Sequence, residues 1–282
     1  MSDRRRVNGP AGTTQPPFYH DNVPNTPLCD QDTAFPRPVY LKTGVTPSAS
    51  GSAYLEIEEG RNSAGFGLKL ICTVYGPRSL PRSAPFSPHM VISTHVKYTP
   101  FATQKRRGYL RDSSERDLSL HLETALRGAI IADRWPKSGV DVIVTVIEGD
   151  RRTTVDDGID DWNTMTALGG CITVASAAIA DAGIDCVDTV TGGVAALVIA
   201  KGNKAEPLIV IDPILSEHDT VLAACCVAYL AGRDEMTNLW YRGSLQPADL
   251  TARRALVARA IMASKGTSKM LSSSLIESLP SC

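Results

Sequence analysis

A chain of 282 residues with 43% apolar and 21% charged residues can bury a sizeable core, and these proportions exclude a largely disordered or fibrous polypeptide. Lys and Arg number 29 against 30 Asp and Glu, a net charge of −1, so overall charge does not hold nucleic acid, although a local basic patch stays open. Seven cysteines (Cys29, Cys72, Cys171, Cys186, Cys225, Cys226 and Cys282) are odd in number and lack CxxC spacing, which reads as reduced thiols instead of a disulfide frame or zinc site.

The sequence offers no run of about 18 apolar residues that would read as a membrane span. Met1 to Arg6 carries a basic cluster with no apolar stretch behind it, which argues against a secretory signal. The expectation is a soluble nuclear or cytosolic protein.

Residues 1–36, rich in Pro, Gly, Asn, Asp and Thr, read as an extended N-terminal arm, with Arg4-Arg5-Arg6 as a solvated charge run. Strands are predicted at Val39 to Leu41, Gly51 to Glu58 and Gly67 to Tyr75, the last ending in a turn at Gly76-Pro77. Gly65-Phe66-Gly67 supplies only two glycines of a dinucleotide fingerprint and precedes a strand, so it reads as a turn. Residues 78–88 form a Pro-rich loop before a strand from Met90 to Tyr98. Its His95 alternates with apolar neighbours and lacks an HxxxH partner, the pattern of a structural histidine.

A helix from about Ser113 to Ile131 starts with Asp112 or Ser113 as cap, and with Glu115 and Asp117 at the positive end of its dipole. Leu118, Leu122, Ala125, Leu126 and Ala129 line its inner face. Val140 to Ile147 reads as a strand buried on both sides. The next helix, Met165 to Ala182, is unusually small-sided, which lets another backbone lie close, and Gly183 is a left-handed cap. Strands follow at Val190 to Ala200, Leu208 to Ile211, Val221 to Leu230 and Met236 to Arg242, then a helix from Pro247 to Ser264 or beyond. This order gives an α/β (α+β) layer architecture of mixed sheets packed with helices. Residues 37–266 form one domain, and 267–282 a C-terminal tail.

Several stretches together resemble the RNase PH family: Arg37-Pro38-Val39-Tyr40, Gly51 to Glu56, Cys72 to Arg78, Glu115 to Leu120 and Ala180 to Ile184. No single piece is specific, but the ordered set is. Within the family the chain is most similar to the RNase PH-type ring subunits of the eukaryotic RNA exosome. That resemblance implies a single RNase PH-like domain in a hexameric ring of related subunits around a central RNA channel, under RNA-binding cap subunits, in the nucleus, nucleolus and cytoplasm.

The resemblance also implies three functional places, and this sequence departs from each. Active members bind phosphate through a Gly-Gly-Thr/Ser-Arg turn at the start of the small-sided helix; here the positions read Thr164-Met165-Thr166-Ala167, where Thr166 keeps a hydroxyl and Ala167 has no guanidinium. The two metal-holding carboxylates fall on His218 and Ala224, or with a shift of one on Asp219 and Cys225, so no pair survives on the acidic turn between Ile211 and Tyr229. The RNA-gripping arginine pair falls on Ser113-Ser114. Lys105, Arg106, Arg107 and Arg111 lie just upstream and can supply phosphate contacts, a solvated loop being the alternative. The reading is a non-catalytic structural ring subunit with no cofactor and no metal. The alternative is an active phosphate-dependent 3′–5′ exoribonuclease using Thr166, Glu217 and Asp219.

Overall fold

In the computed structural model the described residues are 36–58, 67–103, 107–108, 110–149, 159–200, 207–213, 218–243 and 250–278. They form nine strands, β1 (Val39–Thr43), β2 (Gly51–Glu58), β3 (Gly67–Ser79), β4 (Val91–Tyr98), β5 (Ser138–Glu148), β6 (Val190–Ala200), β7 (Leu208–Ile211), β8 (His218–Leu230) and β9 (Glu235–Gly243). Three α-helices accompany them, α1 (Ser113–Arg127), α2 (Ile159–Asp181) and α3 (Leu250–Ser278).

Period-2 alternation sets the first sheet, of order β1-β2-β3-β5-β4. Leu68, Leu70, Cys72 and Val74 of β3 and Val140, Val142, Val144 and Val146 of β5 are buried on one face. The intervening Asp141, Ile143, Thr145 and Ile147 are only half-buried, so β5 is covered on one side and not on both. Only β4 and β5 run parallel, from Val91 opposite Gly139 to Tyr98 opposite Val146, and α1 supplies the crossover that a parallel pair needs.

The second sheet, β7-β6-β8-β9, is antiparallel throughout. Helix α2 packs on β2 and β3 of the first sheet and on β6 and β8 of the second, while α3 packs on β6 and β8. Strand β8 is consequently buried on both faces. Ala224, Cys226 and Ala228 join the core beneath α2, and Ala223, Cys225, Val227 and Tyr229 join Leu256 and Ala260 of α3 in a second core. This explains why the segment reads as a continuous run of small apolar residues.

Small residues set the spacing of these layers. A Cβ on Gly192 would lie 2.2 Å from the Gly169 carbonyl oxygen of α2, and one on Gly193 would lie 2.1 Å from that of Ala260 in α3. Helix α2 also holds the stretch Thr164–Asp181, which is long and apolar enough to cross a membrane by composition, contrary to the sequence reading. Here 83% of it is buried inside the protein, as a core helix between two sheets requires.

Four boundaries differ from expectation by about four residues or more. Strand β3 continues through Gly76-Pro77 to Ser79 because Arg78 and Ser79 still pair with Gly139 and Ser138 after a register break. Helix α1 stops at Arg127, and Ile130 leaves it to form a bridge with Cys186. Helix α2 starts at Ile159, six residues before Met165. Helix α3 runs to Ser278, so 267–278 is not a tail: Leu271 is buried and the Ser274 hydroxyl donates to the Leu41 carbonyl at 2.9 Å. The arm to residue 35, the tripeptide Arg4-Arg5-Arg6 and Gly65-Phe66 lie outside the described residues.

Candidate functional site

The phosphate-type segment Thr164–Ala167 lies inside α2, not in a turn at its start. Beyond the fourth residue of a helix the backbone N–H groups are committed to i→i−4 bonds, so none remains to receive an anion. Thr164, Met165 and Ala167 are buried, and only Thr166 is half-exposed. Thr166 lines a cleft with Gly169, Thr173, Gly192, Asp212 and Thr267.

Asp212 is the acid that the structure brings to this cleft. It follows β7 with φ of 49°, in the left-handed region that Asp tolerates better than most residues, and its N–H donates to the Val194 carbonyl at 2.9 Å. Its carboxylate is held by Arg37, whose Nε donates to one oxygen and Nη2 to the other, both at 2.8 Å. The side chains are 8% and 13% exposed, so this bidentate pair is largely shielded from water. Sequence reasoning placed Arg37 in a motif without giving it this role. Nothing in the local pattern links two residues 175 positions apart.

At the second of the expected carboxylate positions, Ala224 or Cys225 of β8 carries no oxygen ligand. Ala224 is buried opposite Ala196 of β6, and Cys225, opposite Ala195, points to the other face, where its thiol approaches the Leu256 carbonyl at 3.7 Å. Burial pushes the Cys225 thiol up to about 12. His218 and Asp219 begin β8, with His218 opposite Ala200, but their side chains lie outside the described residues.

At the third place Asp112 caps α1 in a capping box: its carboxylate accepts from the N–H of Ser113 at 2.8 Å, and Glu115 accepts from the N–H of Asp112 at 3.2 Å. Glu115 is buried and also accepts from Lys97 Nζ and the Tyr98 N–H, each at 3.0 Å. Lys97 Nζ in turn donates to the carbonyls of Gly108 and Leu110, which fastens the loop leading into α1.

On this loop Arg107 lies with its guanidinium 4.2 Å from the centre of the Tyr98 ring and donates to Ser114 Oγ at 3.3 Å. A guanidinium thus stands in space beside Ser114. Arg111 is exposed just before the helix cap. Lys105 and Arg106 lie outside the described residues. His95 is half-buried on the outer face of β4, with its Nδ1 buried and unpartnered; burial, then Arg111, lowers its pKa. Among the described residues no three His, Cys, Asp or Glu converge as a metal cluster.

This layered fold is shared with the crystal structure of rice (Oryza sativa) Rrp46, with a TM-score of 0.67 over 88% of this chain and 98% of that one, at 16% identity. The likeness establishes the architecture. Residues 36–185 match the 3′ exoribonuclease family, domain 1, and the chain belongs to this RNase PH family. It is 61% identical to the exosome complex component MTR3 of Chaetomium thermophilum, over 99% of this chain and all of that protein. It is 30% identical to the exosome complex component MTR3 of Homo sapiens, over 84% of this chain and 82% of that protein.

Proposed function

We propose that this chain is a non-catalytic structural subunit of the RNA exosome core ring, supporting 3′–5′ RNA processing and degradation through ring assembly and the RNA channel. The observation that carries the reading is 61% identity over 99% of the chain to a protein named as an exosome component. Its partners are other RNase PH-like ring subunits, RNA-binding cap subunits and RNA in the channel, and its place is the nucleus, nucleolus and cytoplasm.

Absence of chemistry is supported at the phosphate-type place, at Asp212 and at the metal-type place. Thr164–Ala167 offers helical backbone instead of an anion-binding turn. Both oxygens of Asp212 already accept from Arg37. Ala224 and Cys225 present a methyl and a thiol that burial keeps protonated, neither of which replaces a carboxylate toward a divalent ion. For RNA the reading assigns Arg107 and Arg111, with Lys105 and Arg106, as contacts to the phosphate backbone, where charge matters more than register.

The test gives the purified chain a 3′-tailed RNA, inorganic phosphate and magnesium. No nucleoside diphosphate is released on the structural reading, whereas phosphate-dependent release abolished by Thr166→Val would establish the exoribonuclease instead. Light scattering separates assembly: a ring subunit gains mass on mixing with ring neighbours, and a self-sufficient enzyme of this family is already hexameric alone. Charge reversal at Arg107 and Arg111 weakens RNA protection in the assembled ring; unchanged protection would make this a solvated loop.

A further inference from the structure

The C-terminal helix α3 concentrates positive charge in a chain that carries almost none overall. Across Leu250–Ser278 stand Arg253, Arg254, Arg259, Lys265 and Lys269 against the single acid Glu277, while the whole chain has net charge −1. One face of the helix is fixed to the protein by Leu256, Ala260, Ala263, Ser264, Ser268 and Leu271, all buried. The opposite face is open.

Along that open face Arg254, Ala258, Met262, Lys265, Lys269 and Ile276 follow one another at helical steps, so cations and apolar side chains share one stripe. Met262 is 55% and Ile276 69% exposed. Lys265 is paired with Asp234 at 3.0 Å. Arg254, Arg259 and Lys269 have no acidic partner among the described residues. From Arg254 to Ile276 the stripe is about 33 Å long at 1.5 Å per residue, the length of a single docked segment.

We infer that the outer face of α3 is a docking surface for an acidic polypeptide segment bearing apolar side chains, supplied by another protein. Charge complementarity selects the acidic character: among the described residues Arg254 and Lys269 on the stripe and Arg259 beside it have no acidic partner, while Lys265 is matched by Asp234. Met262 and Ile276 select polypeptide over nucleic acid, since a phosphate backbone gains nothing from an exposed thioether or branched alkyl group, whereas a helix or strand with Leu or Phe between its acids covers both. The surface is the outer face of α3, opposite the residues that pack on the second sheet, and the inference does not depend on the ring reading.

The test uses the full chain and a fluorescein-labelled 18-residue peptide in which Glu alternates with Leu at helical spacing, read by anisotropy. Saturable binding is expected, weakened at least tenfold by Arg254→Glu with Lys269→Glu, and several-fold by Met262→Ser with Ile276→Ser, with the circular dichroism of each variant unchanged. Oligoglutamate without Leu binds more weakly. A labelled oligouridine that binds as tightly as the peptide and loses affinity in the same charge variants would overturn the proposal in favour of RNA. A concentration-dependent dimer in light scattering, lost in Met262→Ser with Ile276→Ser, would overturn it in favour of a second copy. A carbodiimide cross-link from Lys269 to Asp30 or Asp32 in the free chain would overturn it in favour of the chain's own N-terminal segment, and no saturable binding would overturn it outright.

Discussion

Replacing Arg37 by Met removes the guanidinium from Asp212 while keeping much of its apolar stem. Two hydrogen bonds of 2.8 Å are lost, and the carboxylate left behind is only 13% exposed, so water recovers only part of its solvation. Breaking a buried pair from one side costs about 3–5 kcal/mol, and the open cleft beside Asp212 lets some water in, so about 2–4 kcal/mol is expected here. For a chain of this size each kcal/mol moves the melting temperature by about 2–4 °C, which predicts a fall of about 4–16 °C. Asp212→Asn in the same background removes the stranded charge and restores part of the loss.

A double-mutant cycle of Arg37→Met and Asp212→Asn, measured by urea unfolding with unchanged slope, therefore gives a coupling of about 1.5–3 kcal/mol. A single-variant loss below about 0.5 kcal/mol, or strictly additive effects, would refute the argument: the pair would then behave as an exposed surface contact.

Gly193→Ala forces a methyl to 2.1 Å from the Ala260 carbonyl, so α3 must retreat from β6; a loss of about 2–4 kcal/mol in urea unfolding is expected, and an unchanged midpoint would show that the helix is not seated as described. His121 stacks on Trp240 with centroids 4.5 Å apart, and burial lowers its pKa, with Asp117 and Asn238 opposing. With the folded pKa below the unfolded value of about 6.5, the unfolded chain takes the proton first, so stability falls as pH drops through the ordinary histidine range until the folded group also protonates. His121→Phe keeps the stack and should flatten that dependence in melts between pH 7.5 and 5; an unchanged profile would remove His121 from it. Iodoacetamide at neutral pH, followed by peptide mapping, should leave Cys72, Cys171, Cys225 and Cys226 unmodified in the native protein and label them in urea, because burial holds all four thiols protonated.

Much of the fold was legible because its signals are local. The cap at Asp112, one of the two residues expected there, the αL cap at Gly183 and the alternation in β3 depend on residues a few positions apart, and each is where the sequence reading placed it. Boundaries failed where pairing across the sheet or packing on a distant strand overrode the local signal: β3 runs past Gly76-Pro77 because β5 still pairs with it, and α3 runs past Gly266 because Ser274 finds the Leu41 carbonyl. At the site, side-chain identity alone supported the expectation for Thr166, Ala167, Ala224 and Cys225. The closure of Arg37 on Asp212 was not legible, since the arginine arrives from elsewhere in the chain.

The sequence by itself determined the layer order and the small-sided helix, because side-chain identity and short-range periodicity need no third dimension. Only the tertiary structure decided that Arg37 closes on Asp212, that Arg107 brings a guanidinium to Ser114 across Tyr98, and that Arg254, Lys265 and Lys269 of α3 face outward along one stripe. Those three facts are set by which surfaces the core buries. Burial is a property of the packed chain, and no segment carries it alone.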